Sequence, residues 1–192
     1  MKELLIELIN HVSKSLGPGH SEIIYQKALS ILLDHHNIKH SCEFHVPVSI
    51  SYESNKYNIG DERIDILIYD NLNSVYILEL KAIQGSIYST TKITDNTSAH
   101  PAHIQLMKYI RLLESNHDFL ESKKKINIGF VINFRQSIKF NSLSNMNIEI
   151  DYFDNINKKW NLNENENKKK NIEDINLLQN MNTNSIFIST KD

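Results

Sequence analysis

The chain has 192 residues, 40% hydrophobic and 23% charged, which is enough to bury one core without disulfides or structural metals. Its one cysteine, Cys42, excludes an internal disulfide framework and a cysteine-rich zinc site, and fits a reducing compartment. The formal charge of −2, from 21 Lys and Arg against 23 Asp and Glu, excludes a global attraction to nucleic acid, so any such binding must come from a local patch.

Leu4, Leu5, Leu8, Ile9, Val12 and Leu16 recur at spacings of three and four, which predicts an amphipathic helix over residues 2–16. Asn10 and His11 break any secretory apolar core, and no apolar run nears the roughly 18 residues that span a bilayer. A soluble, intracellular protein with no membrane partner is expected. Gly17-Pro18-Gly19 stops the first helix. A second follows, with Ser21 near its N-cap and Ile24, Ala28, Leu29, Ile31 and Leu32 on its buried side, ending before Asn37. The period then changes to two. Phe44, Val46, Val48 and Ile50 alternate with polar residues as in a strand with one solvated face, and Pro47 marks an edge or a bulge. A turn over Glu53–Lys56 follows.

Arg63–Tyr69 and Val75–Lys81 read as two strands joined by a polar connection of hairpin length. Residues 83–99, rich in Ser, Thr and Asn, read as a long loop. Ala102–Glu114 reads as a helix with Ile104, Met107, Ile110 and Leu113 toward the core. Ile126–Phe134 is a nearly continuous apolar run, as in a buried central strand, and Met146–Phe153 is a weaker strand. After Trp160 the sequence NLNENENKKKN has no apolar periodicity, which predicts a disordered tail over 161–192 behind a domain over 1–160. Ile172–Leu178 has room for one or two helical turns in that tail.

The hairpin concentrates charge. If Leu72 is its centre, residues whose numbers sum to about 144 face each other, so Asp65 lies opposite Glu79 and Arg63 opposite Lys81. Alternation puts these four on one face, and Ile64, Ile66, Ile68, Tyr76, Leu78 and Leu80 on the other. Like charges directly opposite, roughly 5 Å apart at Cβ, destabilise a hairpin. Two remedies fit: ordinary ion pairs with Lys81 and Arg63, or a divalent cation such as Mg²⁺ or Mn²⁺, which oxygen ligands suit. Glu22 fits a first-turn acid favoured by the helix dipole. Gln105 and Tyr109, one turn apart, share a helix face. His100 and His103 have no third zinc ligand at recognisable spacing, and Cys42 reads as packing.

Taken together these residues carry a resemblance. Gly19-His20-Ser21-Glu22-Ile23-Ile24-Tyr25 reads G-x-x-E-x-x-Y, and the chain resembles the GxxExxY protein family, a branch of the PD-(D/E)XK nuclease superfamily. Arg63-Ile64-Asp65, then Glu79-Leu80-Lys81 as E-x-K, Gln105 to Tyr109 as Q-x-x-x-Y similar to RecB-like nucleases, and Ile132-Asn133-Phe134 follow in the family's order, over about residues 4–135. Where the family commonly has Gly after Asn-Phe, this chain has Arg135. The resemblance implies a restriction-endonuclease-like three-layer α/β/α core with a central mixed sheet flanked by helices. It implies a Mg²⁺- or Mn²⁺-dependent nuclease with nucleic acid as its partner and DNA as the expected substrate. Asp65 and Glu79 would hold the metal with Glu22 completing or supporting the site. Lys81 would position water, and Gln105 and Tyr109 would orient the site or meet the phosphate backbone. Arg63, Lys108 and Arg111 would add backbone contacts, which give affinity without sequence specificity. The alternative is a non-catalytic nucleic-acid- or protein-binding module on the same fold, which the missing basic patch favours.

Overall fold

The computed structural model describes residues 1–70, 73–87, 100–136 and 148–161. Its elements are α1 (Lys2–Leu16), α2 (Glu22–His35), β1 (His40–Tyr52), β2 (Asn55–Tyr69), β3 (Ser74–Lys81), α3 (Pro101–Ser115), α4 (His117–Glu121), β4 (Lys125–Phe134), β5 (Ile148–Asp154) and β6 (Lys159–Asn161). They form a six-stranded sheet in the order β1-β2-β3-β4-β5-β6. The β3–β4 pair is parallel and the other four pairs are antiparallel, so the sheet is mixed. A parallel pair needs a crossover, and α3 lies in it.

Helices cover both faces. On one, Leu5, Leu8, Ile9 and Val12 of α1 and Tyr25, Leu29 and Leu33 of α2 pack on Ile66, Ile68, Leu78, Leu80, Phe130, Ile132 and Phe134. On the other, Ala102, Leu106, Tyr109, Ile110 and Leu113 of α3 pack on Leu67, Val75, Ile77, Val131 and Phe153. This is the restriction-endonuclease-like α/β/α sandwich. From Ile128 on, β4 is apolar but for Asn133, because both of its faces are buried. Gly129 lets α3 sit close: a Cβ there would meet Leu106 Cδ1 at 2.8 Å. No helix among the described residues is long and apolar enough to cross a membrane.

Several sequence expectations shift. Ile24 and Ile31 are 40% and 67% exposed; Tyr25, Gln26, Leu29 and Leu33 form the buried stripe of α2 instead. Ile104 is 54% exposed, because Ala102, Leu106, Tyr109 and Leu113 set the phase of α3. Apolar spacing fits more than one helical phase, and contact with the sheet selects one. Ile64 packs with the α3 cluster rather than beside Ile66, so strict alternation fails around Asp65. β1 and β2 are longer than expected and meet at a tight turn with Glu53 at φ 54°. Pro47 sits on the edge strand, and the register shifts just beyond it, between Val48 and Ser49. The short α4 and β6 carry no periodic signal in the sequence. Trp160 on β6 is buried against Phe153 and His103. The loop beyond Ile87 and the tail beyond Asn161 lie outside the described residues.

Candidate active site

The β2–β3 ladder has the register expected from the sequence: Tyr69↔Val75, Ile68↔Tyr76, Leu67↔Ile77 and Ile66↔Leu78. The ladder stops there. The next main-chain donor of β3, the Leu80 N–H, is taken by the Asp65 carboxylate, Oδ2, at 2.7 Å. A side chain thus replaces a backbone carbonyl, and the two strands part at this level. Arg63 accordingly does not face Lys81. Its Nε pairs with Glu43 Oε2 at 2.6 Å.

The opposite side of β2 opens at the same level. Cys42 pairs with Ile66 and Phe44 with Ile64, but no ladder pair joins Glu43 to Asp65. Glu43 has φ 52°, a left-handed conformation that costs a non-glycine residue about 1 kcal/mol or more. The Asp65 carbonyl is instead met by buried Gln26 of α2, whose Nε2 donates to it at 2.8 Å and to Glu43 Oε1 at 2.6 Å. An open cleft of about 190 Å³ results, lined by Glu22, Ile23, Gln26, Glu43, Arg63, Asp65 and Leu80.

Glu79 is fully buried. Its Oε1 accepts from Lys81 Nζ, and its Oε2 has no partner. Burial first, and then the neighbouring Asp65 charge, push its carboxyl up to about 7, against the pull of Lys81. Burial also raises Asp65, although the Leu80 N–H opposes it. Burial pulls Lys81 down, but Glu79, Glu22 and Asp65 outweigh it and hold the ammonium above its usual range. Two carboxylates and one cation therefore share a poorly hydrated corner.

Glu22 reaches this corner from the first turn of α2, where its Oε1 accepts from the Ala82 N–H at 3.2 Å. The preceding turn needs glycine at Gly17 and Gly19, with φ 75° and 102°. Tyr25 holds that turn. Its hydroxyl donates to the Gly17 carbonyl at 2.7 Å, and its ring stacks on Phe134 at 4.2 Å. Gln136 accepts from the Gly19 N–H, donates to the Tyr25 hydroxyl at 3.3 Å, and donates its own backbone N–H to the Ile83 carbonyl at 3.1 Å. The three named positions of G-x-x-E-x-x-Y thus supply a left-handed turn, a carboxylate beside the end of β3, and a ring that locks the two together.

On α3, Gln105 Nε2 donates to the Tyr109 hydroxyl at 2.5 Å, and that hydroxyl donates to the Arg63 carbonyl at 2.7 Å. Tyr109 is buried, which raises its phenol to about 12. The pair fixes β2 just before Asp65. Lys108 pairs with Glu62 at 2.8 Å, and Arg111 is exposed on α3. The segment after Lys81 is held by Asn133, whose Oδ1 accepts from the Ile83 N–H at 3.2 Å and whose Nδ2 donates to the Gly85 carbonyl at 2.9 Å. Buried Glu149 of β5 accepts the Ile87 N–H at 2.9 Å. His103 pairs in the core with Asp151 at 2.8 Å, and His100 caps α3 by accepting from Ala102 N–H at 3.3 Å.

Sequence reasoning misses Gln26, Glu43, Gln136, Glu149 and Asp151. Of the supporting residues, Tyr25, Gln105, Tyr109 and Asn133 fall in motifs legible from the chain. The missed residues act on partners as far as 117 positions away, and no local spacing announces them.

A sequence model of the PD-(D/E)XK nuclease superfamily matches residues 1–144. The chain belongs to the PD-(D/E)XK nuclease superfamily. Among curated proteins, none matches it. Among solved structures it is similar to one described as the crystal structure of SSO0001, at 19% identity and a TM-score of 0.35. That match covers 58% of this chain and 43% of the other, so this chain spans under half of that structure's length.

The donor set can be tested against the divalent metals of such nucleases. Among the described residues, no three His, Cys, Asp or Glu side chains converge as a ready-made metal cage. What the corner offers is a pair of hard oxygen donors, Asp65 and Glu79, one with an unpartnered buried oxygen. That chemistry suits Mg²⁺ or Mn²⁺ and excludes a thiolate-type site.

Proposed function

We propose that this protein hydrolyses phosphodiester bonds in nucleic acid, DNA first, with Mg²⁺ or Mn²⁺ held by Asp65 and Glu79 and supported by Glu22. The observation that carries this is Glu79: a fully buried carboxylate with a bare oxygen, beside Asp65 and ion-paired to Lys81. Burying such a group with no use for its charge costs several kcal/mol. When bound, a divalent ion supplies charge neutralisation at the reacting phosphate and a lowered pKa for water. The protein's own groups do the rest. The Lys81 ammonium orients the attacking water and stabilises negative charge that develops on the phosphoryl oxygens. Asp65, held by Leu80 N–H, and Glu22, held by Ala82 N–H, keep their carboxylates in place without moving during the reaction. Gln105 and Tyr109 fix the strand carrying Asp65 through the Arg63 carbonyl. Arg63, Lys108 and Arg111 supply contacts to the phosphate backbone after Arg63 and Lys108 leave Glu43 and Glu62.

Incubation with labelled single- and double-stranded DNA and RNA, with and without Mg²⁺ or Mn²⁺, tests the reading. Metal-dependent cleavage that Asp65→Asn abolishes supports it. Metal binding without cleavage of any of the four substrates favours a non-catalytic module on this fold, and absence of metal binding overturns the site.

A further inference from the structure

The β1–β2 hairpin runs past the core. Over 49–60 it has no buried residue, and it exposes Ile50, Tyr52, Tyr57 and Ile59 at 52%, 65%, 47% and 61%. Ile50 pairs with Tyr57, so these two side chains share one face with Tyr52. β1 is also an edge strand of the sheet. A long apolar edge invites another strand unless it is blocked. The first half of β1 is blocked: Glu43 kinks it and Pro47 removes a donor. The second half, Val48–Tyr52, carries neither device and no charge, and the register shift between Val48 and Ser49 puts its extra residue, Ile59, on β2 and not on this edge.

This second half is self-complementary. Val48-Ser49-Ile50-Ser51-Tyr52 reads almost the same in both directions about Ile50. Antiparallel pairing with a second copy on a two-fold axis at Ile50 sets Ile50 against Ile50. It also sets Ser49 against Ser51, and Val48 against Tyr52. β-branched–aromatic pairs and hydroxyl pairs are favourable cross-strand contacts. Glu53 then faces Pro47 of the other copy, so no like charges meet. Nucleic acid is the poorer occupant, because affinity for phosphates comes from cations, and at the tip the one cation, Lys56, is offset by Glu53. We propose that Val48–Tyr52 is the contact of a symmetric dimer in which two copies join their sheets edge to edge through β1. The interface is isologous, as a two-fold requires. Asp65 lies seven residues along the ladder from Ile50, so each cleft sits about 23 Å from the axis along the strands. Such a dimer forms whether or not the cleft is catalytic.

Sedimentation velocity of the full chain up to about 200 µM tests it, because self-association is governed by mass action. The expected result is a shift with concentration from the 22.3 kDa chain mass to twice that value. Ile50→Lys places two ammonium groups against each other at the axis, and should raise the dimer dissociation constant at least 10-fold, about one pairwise like-charge and packing penalty. Ile50 is half exposed, so an unchanged melting temperature for the diluted variant shows that the fold survives. A wild type that stays at 22.3 kDa throughout overturns the proposal. So does Ile50→Lys dimerising as tightly as wild type. Loss of binding to a DNA oligonucleotide in Ile50→Lys, with the wild type monomeric, would also overturn it and assign the arm to nucleic acid.

Discussion

Glu79 is the residue on which the proposed chemistry and the stability of this protein meet. Its carboxyl is raised in the folded chain to about 7 from an ordinary value of 4.5, chiefly by burial. A raised folded-state pKa means that the folded state holds the proton more tightly than the unfolded chain. The stabilisation is therefore complete below about pH 4.5 and is lost as pH rises through 7. Metal-free protein should lose on the order of 3 kcal/mol from this one group across that window. Glu79→Gln should flatten that part of the melting temperature profile, and a profile unchanged by the substitution would contradict the assignment. Asp65→Asn keeps an oxygen for the Leu80 N–H and removes one of two repelling charges. It should leave the melting temperature equal or slightly higher while abolishing Mn²⁺ binding by calorimetry. Unchanged Mn²⁺ affinity would count against Asp65 as a ligand.

At the scale of elements, the site depends on three connections: the Gly17–Gly19 turn, the parting of β2 from its neighbours, and the end of β3. Tyr25→Phe keeps the stack on Phe134 but removes the hydroxyl that meets Gly17 and Gln136. It should cost about 1 kcal/mol, a few degrees in melting temperature, and weaken metal binding by loosening Glu22. Equal metal affinity would show that Glu22 is held without the turn. The hairpin centre was legible because alternating aliphatics flank a polar turn, and Ile66↔Leu78 confirms the sum that the sequence suggested. The Asp65–Glu79 and Arg63–Lys81 pairs of the same extrapolation were not, since Asp65 takes a main-chain donor and ends the ladder. The three long helices and the phase of α1 were legible, but the phases of α2 and α3 were not. Ile24, Ile31 and Ile104 fit the period yet face solvent, because the sheet contacts of Leu29 and Leu106 decide the rotation. Glu43 was out of reach for another reason: its left-handed backbone arises only where Gln26 and Arg63 hold it.

The described residues form a sandwich whose sheet carries the candidate site at the point where β2 separates from β1 and β3. Residues beyond Asn161 lie outside the described structure, and their sequence opens with a polar run, NENENKKKN, without apolar periodicity. A chain ending at Asn161 should melt within a few degrees of the full chain. One ending at Asn155 should melt well below it, because buried Trp160 is lost along with β6. Equal loss in both would mean that the tail docks on the domain. The superfamily assignment makes nuclease chemistry the expected output of this fold, and Lys81 separates an enzyme from a protein that merely neutralises two carboxylates. Lys81→Met keeps the apolar stem and removes the charge. Single-turnover cleavage of labelled DNA with saturating Mg²⁺, run beside a thermal melt, is the most direct measurement. The expected rate is about 10²–10⁴ lower than wild type, with Mn²⁺ binding largely retained. Full cleavage by Lys81→Met with a lowered melting temperature would contradict the catalytic role of Lys81 and leave it as a partner of Glu79 alone.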